Sequence, residues 1–189
     1  MMRKRLLVVG SKGSSGKSTL VLALCKLAQL TWKGCKTAIV DLDFDQYSST
    51  QFSKMMNLEL VHPDEAHFVF VDGAAKLKGV GPEAAKADKI VLACVPGPLD
   101  VPVNQNFCRE ELVPYADKTR ILYTRVKTVS RMDMDIVQGQ NGFEGLFAGF
   151  QKLQNFMHEW QDYRNFALTG DLTPKIKNEL SSILLEIQL

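Results

Sequence analysis

Residues 10–19, GSKGSSGKST, combine small side chains with two lysines and end in two hydroxyls, the residue types that hold a phosphate chain. A loop without bulky side chains lets successive backbone N–H groups close on phosphate oxygens. A helix that begins there adds the partial positive charge of its N-terminus. Gly13, Ser14, Ser15 and Gly16 are then the cradle, Lys17 reaches the β- and γ-phosphates, Ser18 is placed to ligate Mg²⁺, and Thr19 closes the loop. The pattern GxxxxGK[ST] is met except at its first glycine, where Ser11 stands. Further along, Asp41 and Asp43 in IVDLDFDQ and Asp72 in FVFVDGAAKLK each follow an apolar run. Carboxylates at the C-terminal ends of parallel strands lie beside such a loop, so both segments are candidates for the same site. Capping of the next helix is the competing role, and it suits Asp45 better than Asp41.

These residues need strands and helices to aim them. Five short apolar runs, 6–9, 37–40, 67–71, 89–95 and 121–123, are nearly continuous in β-branched and aliphatic residues. They lack the polar alternation of a half-exposed strand, which predicts a parallel sheet covered on both faces. Between the first two runs, Leu20, Ala23, Leu24, Leu27 and Leu30 recur at helical spacing. Residues 103–115 suit a crossover helix, 132–145 read as a Gln/Asn/Gly-rich loop, and 146–160 and 174–189 read as helices. The expected fold is α/β: an open, mainly parallel sheet with helices on both faces, of the P-loop NTPase type, as one domain over residues 1–189.

The composition narrows the function. Hydrophobic residues make up 46% and charged residues 23% of the 189, as in a folded globular chain. A net charge of +2 is too small to imply nucleic acid or an anionic membrane without a local patch. Cys25, Cys35, Cys94 and Cys108 form no CxxC pair and read as reduced thiols. His62, His67 and His158 have no metal-site spacing. The apolar run after MMRKR is too short for a signal-peptide core, and no stretch approaches the ~20 apolar residues of a membrane span. A cytoplasmic protein is expected.

The segment KGSSGKST resembles the deviant Walker A motif of the ParA/MinD superfamily, in which KGGxGKT is usual and an early lysine, here Lys12, reaches across a nucleotide-sandwiched dimer. IVDLDFDQ resembles that family's VDxDPQ, with Phe44-Asp45 in place of the proline. The resemblance implies that Asp41 orients the attacking water and helps organise Mg²⁺. FVFVDG resembles its Walker B strand, which implies that Asp72 holds a water on Mg²⁺ and that Gly73 lets the next loop respond to the γ-phosphate. ACVPGPLDV, ILYTRVK and DYRNFALTGDLTP resemble segments of short plasmid-partition ParA proteins of the ParF kind, and imply that Pro98 and Arg125 lie near the adenine. The likeness runs in order along nearly the whole chain, weakest over residues 127–160.

By that resemblance the chain is an ATPase of DNA segregation. It would form a homodimer with ATP and Mg²⁺, bind DNA non-specifically near the nucleoid, hydrolyse slowly, and respond to a small centromere-binding adaptor protein. Lys127, Arg131, Lys152, Arg164, Lys175 and Lys177 are the candidate DNA contacts. The C-terminal segment KIKNELSSILLEIQL is amphipathic but carries Glu179 and Glu186 and no basic flank, so it predicts docking onto the core and no membrane binding. Two other classes stay open: a metabolic enzyme of the same superfamily, of the dethiobiotin synthetase or cobyrinate amidation type, and a nucleotide-gated scaffold or repressor.

Overall fold

The computed structural model describes residues 3–10, 15–43, 48–74 and 79–188. Six parallel strands form one sheet in the order β2-β3-β1-β4-β5-β6. They are β1 (Lys4–Val9), β2 (Thr37–Asp41), β3 (Phe68–Asp72), β4 (Lys89–Cys94), β5 (Thr119–Tyr123) and β6 (Gln151–Lys152). The helices are α1 (Lys17–Thr31), α2 (Ser48–Met55), α3 (Gly81–Lys86), α4 (Asp100–Phe107), α5 (Arg131–Gln138), α6 (Gln161–Thr169) and α7 (Pro174–Ile187).

Continuous apolar strands follow from burial on both sides. Leu6 and Val8 face a layer containing α1, α6 and α7, while Leu7 and Val9 face a layer containing α3, α4 and α5. Leu20, Ala23, Leu24 and Leu27 of α1 are buried as their spacing predicts, and Leu30 at the helix end is exposed. Ile176, Leu180, Ile183 and Ile187 of α7 are fully buried, so the C-terminal amphipathic face is spent on the core. Thr173 caps this helix by accepting the Ile176 N–H, and Pro174 opens it. Among the described residues no helix is long and apolar enough to cross a membrane.

Three sequence expectations are corrected. Residues 132–145 are not simply a loop: α5 occupies Arg131–Gln138, with Ser130 accepting the Asp133 N–H at its start and Gly139 left-handed at its end. Residues 146–160 are not a helix. Their apolar side chains serve two different layers, Phe147 in one and Leu153 and Met157 in the other, and a single helical stripe cannot reach both. The chain there turns and contributes β6 instead. The expected 103–115 helix begins at Asp100, and after Phe107 it passes into a π-helical turn at Cys108–Leu112 and a 3₁₀ segment at Val113–Lys118.

The strand order places a crevice. From β1 the chain runs to β2 on one side, and from β4 it runs to β5 on the other, so the carboxyl ends of the adjacent β1 and β4 form the switch point where α/β sheets take ligands.

Candidate functional site

Ser15, Gly16 and Lys17, with the carboxyl ends of β1 and β3, lie at that crevice. Gly16 stands at the N-terminus of α1 with φ +82°, a left-handed conformation that an L side chain would strain. It offers no side-chain cap, and the first turn of α1 carries no acidic residue, so no carboxylate of that turn competes for the helix-end N–H groups. Ser15 is buried, and its carbonyl accepts the Thr124 hydroxyl at 2.7 Å, which ties the loop to the end of β5. Lys17 is 6% exposed and donates to Ser15 Oγ at 3.4 Å. Burial pushes its pKa down, while the carboxylates of Asp72 and Asp43 support its charge. Lys12, Gly13 and Ser14 lie outside the described residues, as do Asp45 and Gln46.

The two acidic strand ends are neighbours by register. Asp41 pairs with Asp72 across β2 and β3, and Asp72 pairs with Val8 of β1. Gly73 follows with its N–H donated to the Val8 carbonyl at 2.8 Å, and a Cβ there would sit 2.6 Å from that oxygen. Only glycine permits this approach.

Asp72 is 1% exposed, and among the described residues no donor meets full hydrogen-bond geometry with its carboxylate oxygens. Burial raises its pKa to about 6, with Asp41 adding to the rise. The nearby hydroxyls of Ser18 and Ser49 and the Lys17 charge work in the other direction. The Ser49 hydroxyl, fully buried, lies on the Asp72 carboxylate. A buried carboxylate beside the Ser18 hydroxyl, with a second carboxylate in register, suits a hydrated divalent cation. The residues present therefore fit Mg²⁺, with Ser18, Asp72 and Asp41 as the groups that would hold it or its waters.

Asp41 has a second occupation. Its Oδ1 accepts the Asp43 N–H at 3.0 Å, and its Oδ2 accepts the Thr50 N–H at 3.1 Å, in the first turn of α2. It is a helix cap as well as a strand-end carboxylate, a role that had suited Asp45 better.

Beside the phosphate loop opens a cleft of about 330 Å³, lined by Gly16, Thr19, Thr124 and Arg125, by His158 to Trp160, and by Tyr163 and Arg164 of α6. Arg125, expected near the adenine, is one of the residues lining this cleft. Its backbone is left-handed (φ 56°), and its guanidinium donates to Glu159 at 2.7 Å. Lys127 also pairs with Glu159, at 3.3 Å, and the two cations hold the Glu159 carboxyl below its usual range. Pro98 is exposed and does not line the cleft. The candidate DNA cations are spread over several elements: Arg131 pairs weakly with Asp135 at 3.9 Å, and Lys175 sits over the Trp160 ring.

Thr124, Ser49, His158 and Trp160 had not been assigned to the site. Thr124 follows an apolar strand directly, as Asp41 and Asp72 end theirs, and it lies in the ILYTRVK segment that carries the resemblance; those are its signals in the sequence.

A model of the CobQ/CobB/MinD/ParA nucleotide-binding domain matches residues 6–182. Among solved structures, a putative plasmid partition protein of Borrelia burgdorferi B31 bound to AMPPNP is similar at 16% identity over 98% of both chains, with a TM-score of 0.70. A variant of Cyanothece McdA in complex with ATP is similar at 10% identity over 99% of this chain and 97% of its own, TM-score 0.71. Cobyrinic acid a,c-diamide synthase of Mycobacterium smegmatis with ADP and magnesium is similar at 14% identity over 88% and 93%, TM-score 0.59. No curated protein sequence gives a significant match.

Proposed function

The chain belongs to the CobQ/CobB/MinD/ParA nucleotide-binding domain family, and from that premise we propose that it is a Mg²⁺-dependent ATPase that acts as a DNA-segregation switch, of the short ParF-like kind. The observation that carries the nucleotide half is the group formed by buried Lys17 and Asp72 with half-buried Ser18 and Asp41 around the uncapped start of α1. Lys17 supplies positive charge to the β/γ-phosphates, and loop N–H groups bind the phosphate oxygens. Ser18 and, through a water, Asp72 would hold Mg²⁺, which when bound would supply charge neutralisation at the phosphates. Asp41 orients the attacking water, and the base enters the cleft beside Arg125. Lys12 reaches the partner's phosphates in a homodimer that forms with ATP. DNA is bound without sequence preference, and an adaptor protein accelerates the reset.

The DNA half rests on the sequence resemblance and on the partition protein among its structural neighbours. A mobility-shift series on duplex DNA tests it. Binding with ATP, weak binding with ADP or no nucleotide, and a steep fall with salt are expected, with about −0.9 in log–log slope per phosphate contact. Equal binding with ADP, or salt-insensitive binding, overturns the segregation reading. Turnover that requires a small carboxylate substrate would establish the metabolic alternative, and nucleotide binding without turnover the scaffold.

A further inference from the structure

Beyond Gly16 and Thr19, the cleft is walled by residues that no phosphate requires. His158, Trp160 and Tyr163 line it, with nearly parallel rings: His158 and Trp160 lie 4.4 Å apart at 15°, and Trp160 and Tyr163 6.4 Å apart at 17°. The backbone at His158 is held to Val126, whose N–H donates to the Met157 carbonyl and whose carbonyl accepts the Glu159 N–H, and Tyr163 lies within α6, so what remains to be fixed is how the rings are set. Residues 153–160 carry no helix or strand, and Trp160 begins α6 without a side-chain cap.

The bracing comes from α7. The Glu179 side chain is 7% exposed and accepts the His158 backbone N–H at 3.2 Å and the Tyr163 hydroxyl at 2.7 Å. It is also hydrogen-bonded to His158 Nδ1. One turn earlier, Lys175 places its Nζ 3.5 Å from the centroid of the Trp160 ring. A carboxylate only accepts, so it can serve several donors at once, and its charge strengthens each bond. Neither Glu179 nor Lys175 lines the cleft.

We propose that Glu179 is a positioning residue for the nucleobase: it holds His158 and Tyr163, and with Lys175 the intervening Trp160, as the wall against which the base of a bound nucleoside triphosphate rests. This rests on the nucleotide reading of the cleft. Glu179 touches neither phosphate nor metal, so its influence falls on the base end of the ligand alone.

The test compares Mg²⁺-ATP with Mg²⁺-tripolyphosphate, which has the phosphates and no base, by calorimetry on the full chain. For Glu179→Gln, whose amide turns a donor toward donors, ATP affinity is expected to fall roughly tenfold. Tripolyphosphate affinity should stay within about twofold. Tyr163→Phe keeps the ring and removes one donor, so it should show a smaller loss in the same direction, and it carries the test if the Gln variant does not fold. Equal weakening of both ligands makes Glu179 a general brace of the fold and overturns the proposal, as does unchanged ATP affinity. A wild-type chain that binds no ATP overturns the nucleotide reading itself.

Discussion

Asp72 is ionised at neutral pH at a cost that the rest of the fold must offset. Its pKa is raised from 3.8 to about 6, mainly by burial. Between those values the folded state binds more protons than the unfolded one, so this group's contribution falls as pH rises through that window. It is most favourable below about pH 4 and lost above about 6, a change of about 3 kcal/mol. Asp72→Asn should therefore raise the melting temperature of the metal-free protein at pH 7, leave it nearly unchanged at pH 4, and weaken Mg²⁺-dependent nucleotide binding. Thermal unfolding at the two pH values checks the sign. Asp41 carries two roles that two substitutions separate. Asp41→Ala should cut turnover by about 10²-fold or more with nucleotide affinity retained. It should also cost about 1 kcal/mol through the lost Thr50 bond. Asp41→Asn keeps an acceptor for that N–H and should spare stability while still losing turnover; if both variants turn over at wild-type rates, Asp41 is only a cap.

At the scale of elements, α7 is the piece on which both packing and the cleft wall depend. Its buried stripe predicts that Ile183→Ala costs about 2–5 kcal/mol in chemical denaturation, because Ile183 is fully enclosed and leaves a cavity. A loss below about 1 kcal/mol would mean that the helix docks loosely. The elements also differ in how plainly the sequence announced them. Strands β1 to β5 were legible because burial on both faces leaves unbroken apolar runs such as FVFVD and KIVLAC. β6 is Gln151–Lys152, with no apolar signature to read. Residues 146–160 mimic helical spacing through Leu146, Phe150 and Leu153, yet Gly145 and Gly149 take positive φ and turn the chain between layers. At α5 the cap Ser130 and the stop Gly139 were visible in sequence, and the Gln/Asn/Gly composition around them masked the signal. Lys17 stands out in the phosphate-loop pattern, and Asp41 and Asp72 by ending apolar runs and by the family resemblance. The Glu179 brace joins residues far apart in sequence, a pairing that only the packed fold supplies.

The whole molecule bears on assembly. A net charge of +2 gives one subunit few aligned cations, and Lys127 already shares Glu159 with Arg125, so the proposed DNA binding would call for a two-fold dimer that doubles the patch. Two facing phosphate loops bring negative charge together, which a lysine from each subunit would offset. Lys12→Ala should thus bind ATP yet remain a monomer in light scattering, and a stable ATP dimer of this variant would remove the cross-subunit role. The sheet's own margins bear on assembly too. β6, at one margin, has two residues, and at the other β2 is met by Leu60 through a single bridge to Thr37. An incoming strand finds almost no ladder to extend on the β6 side, so fibre growth by edge addition has poor footing there, and concentrated stocks of the protein should resist that route to precipitation.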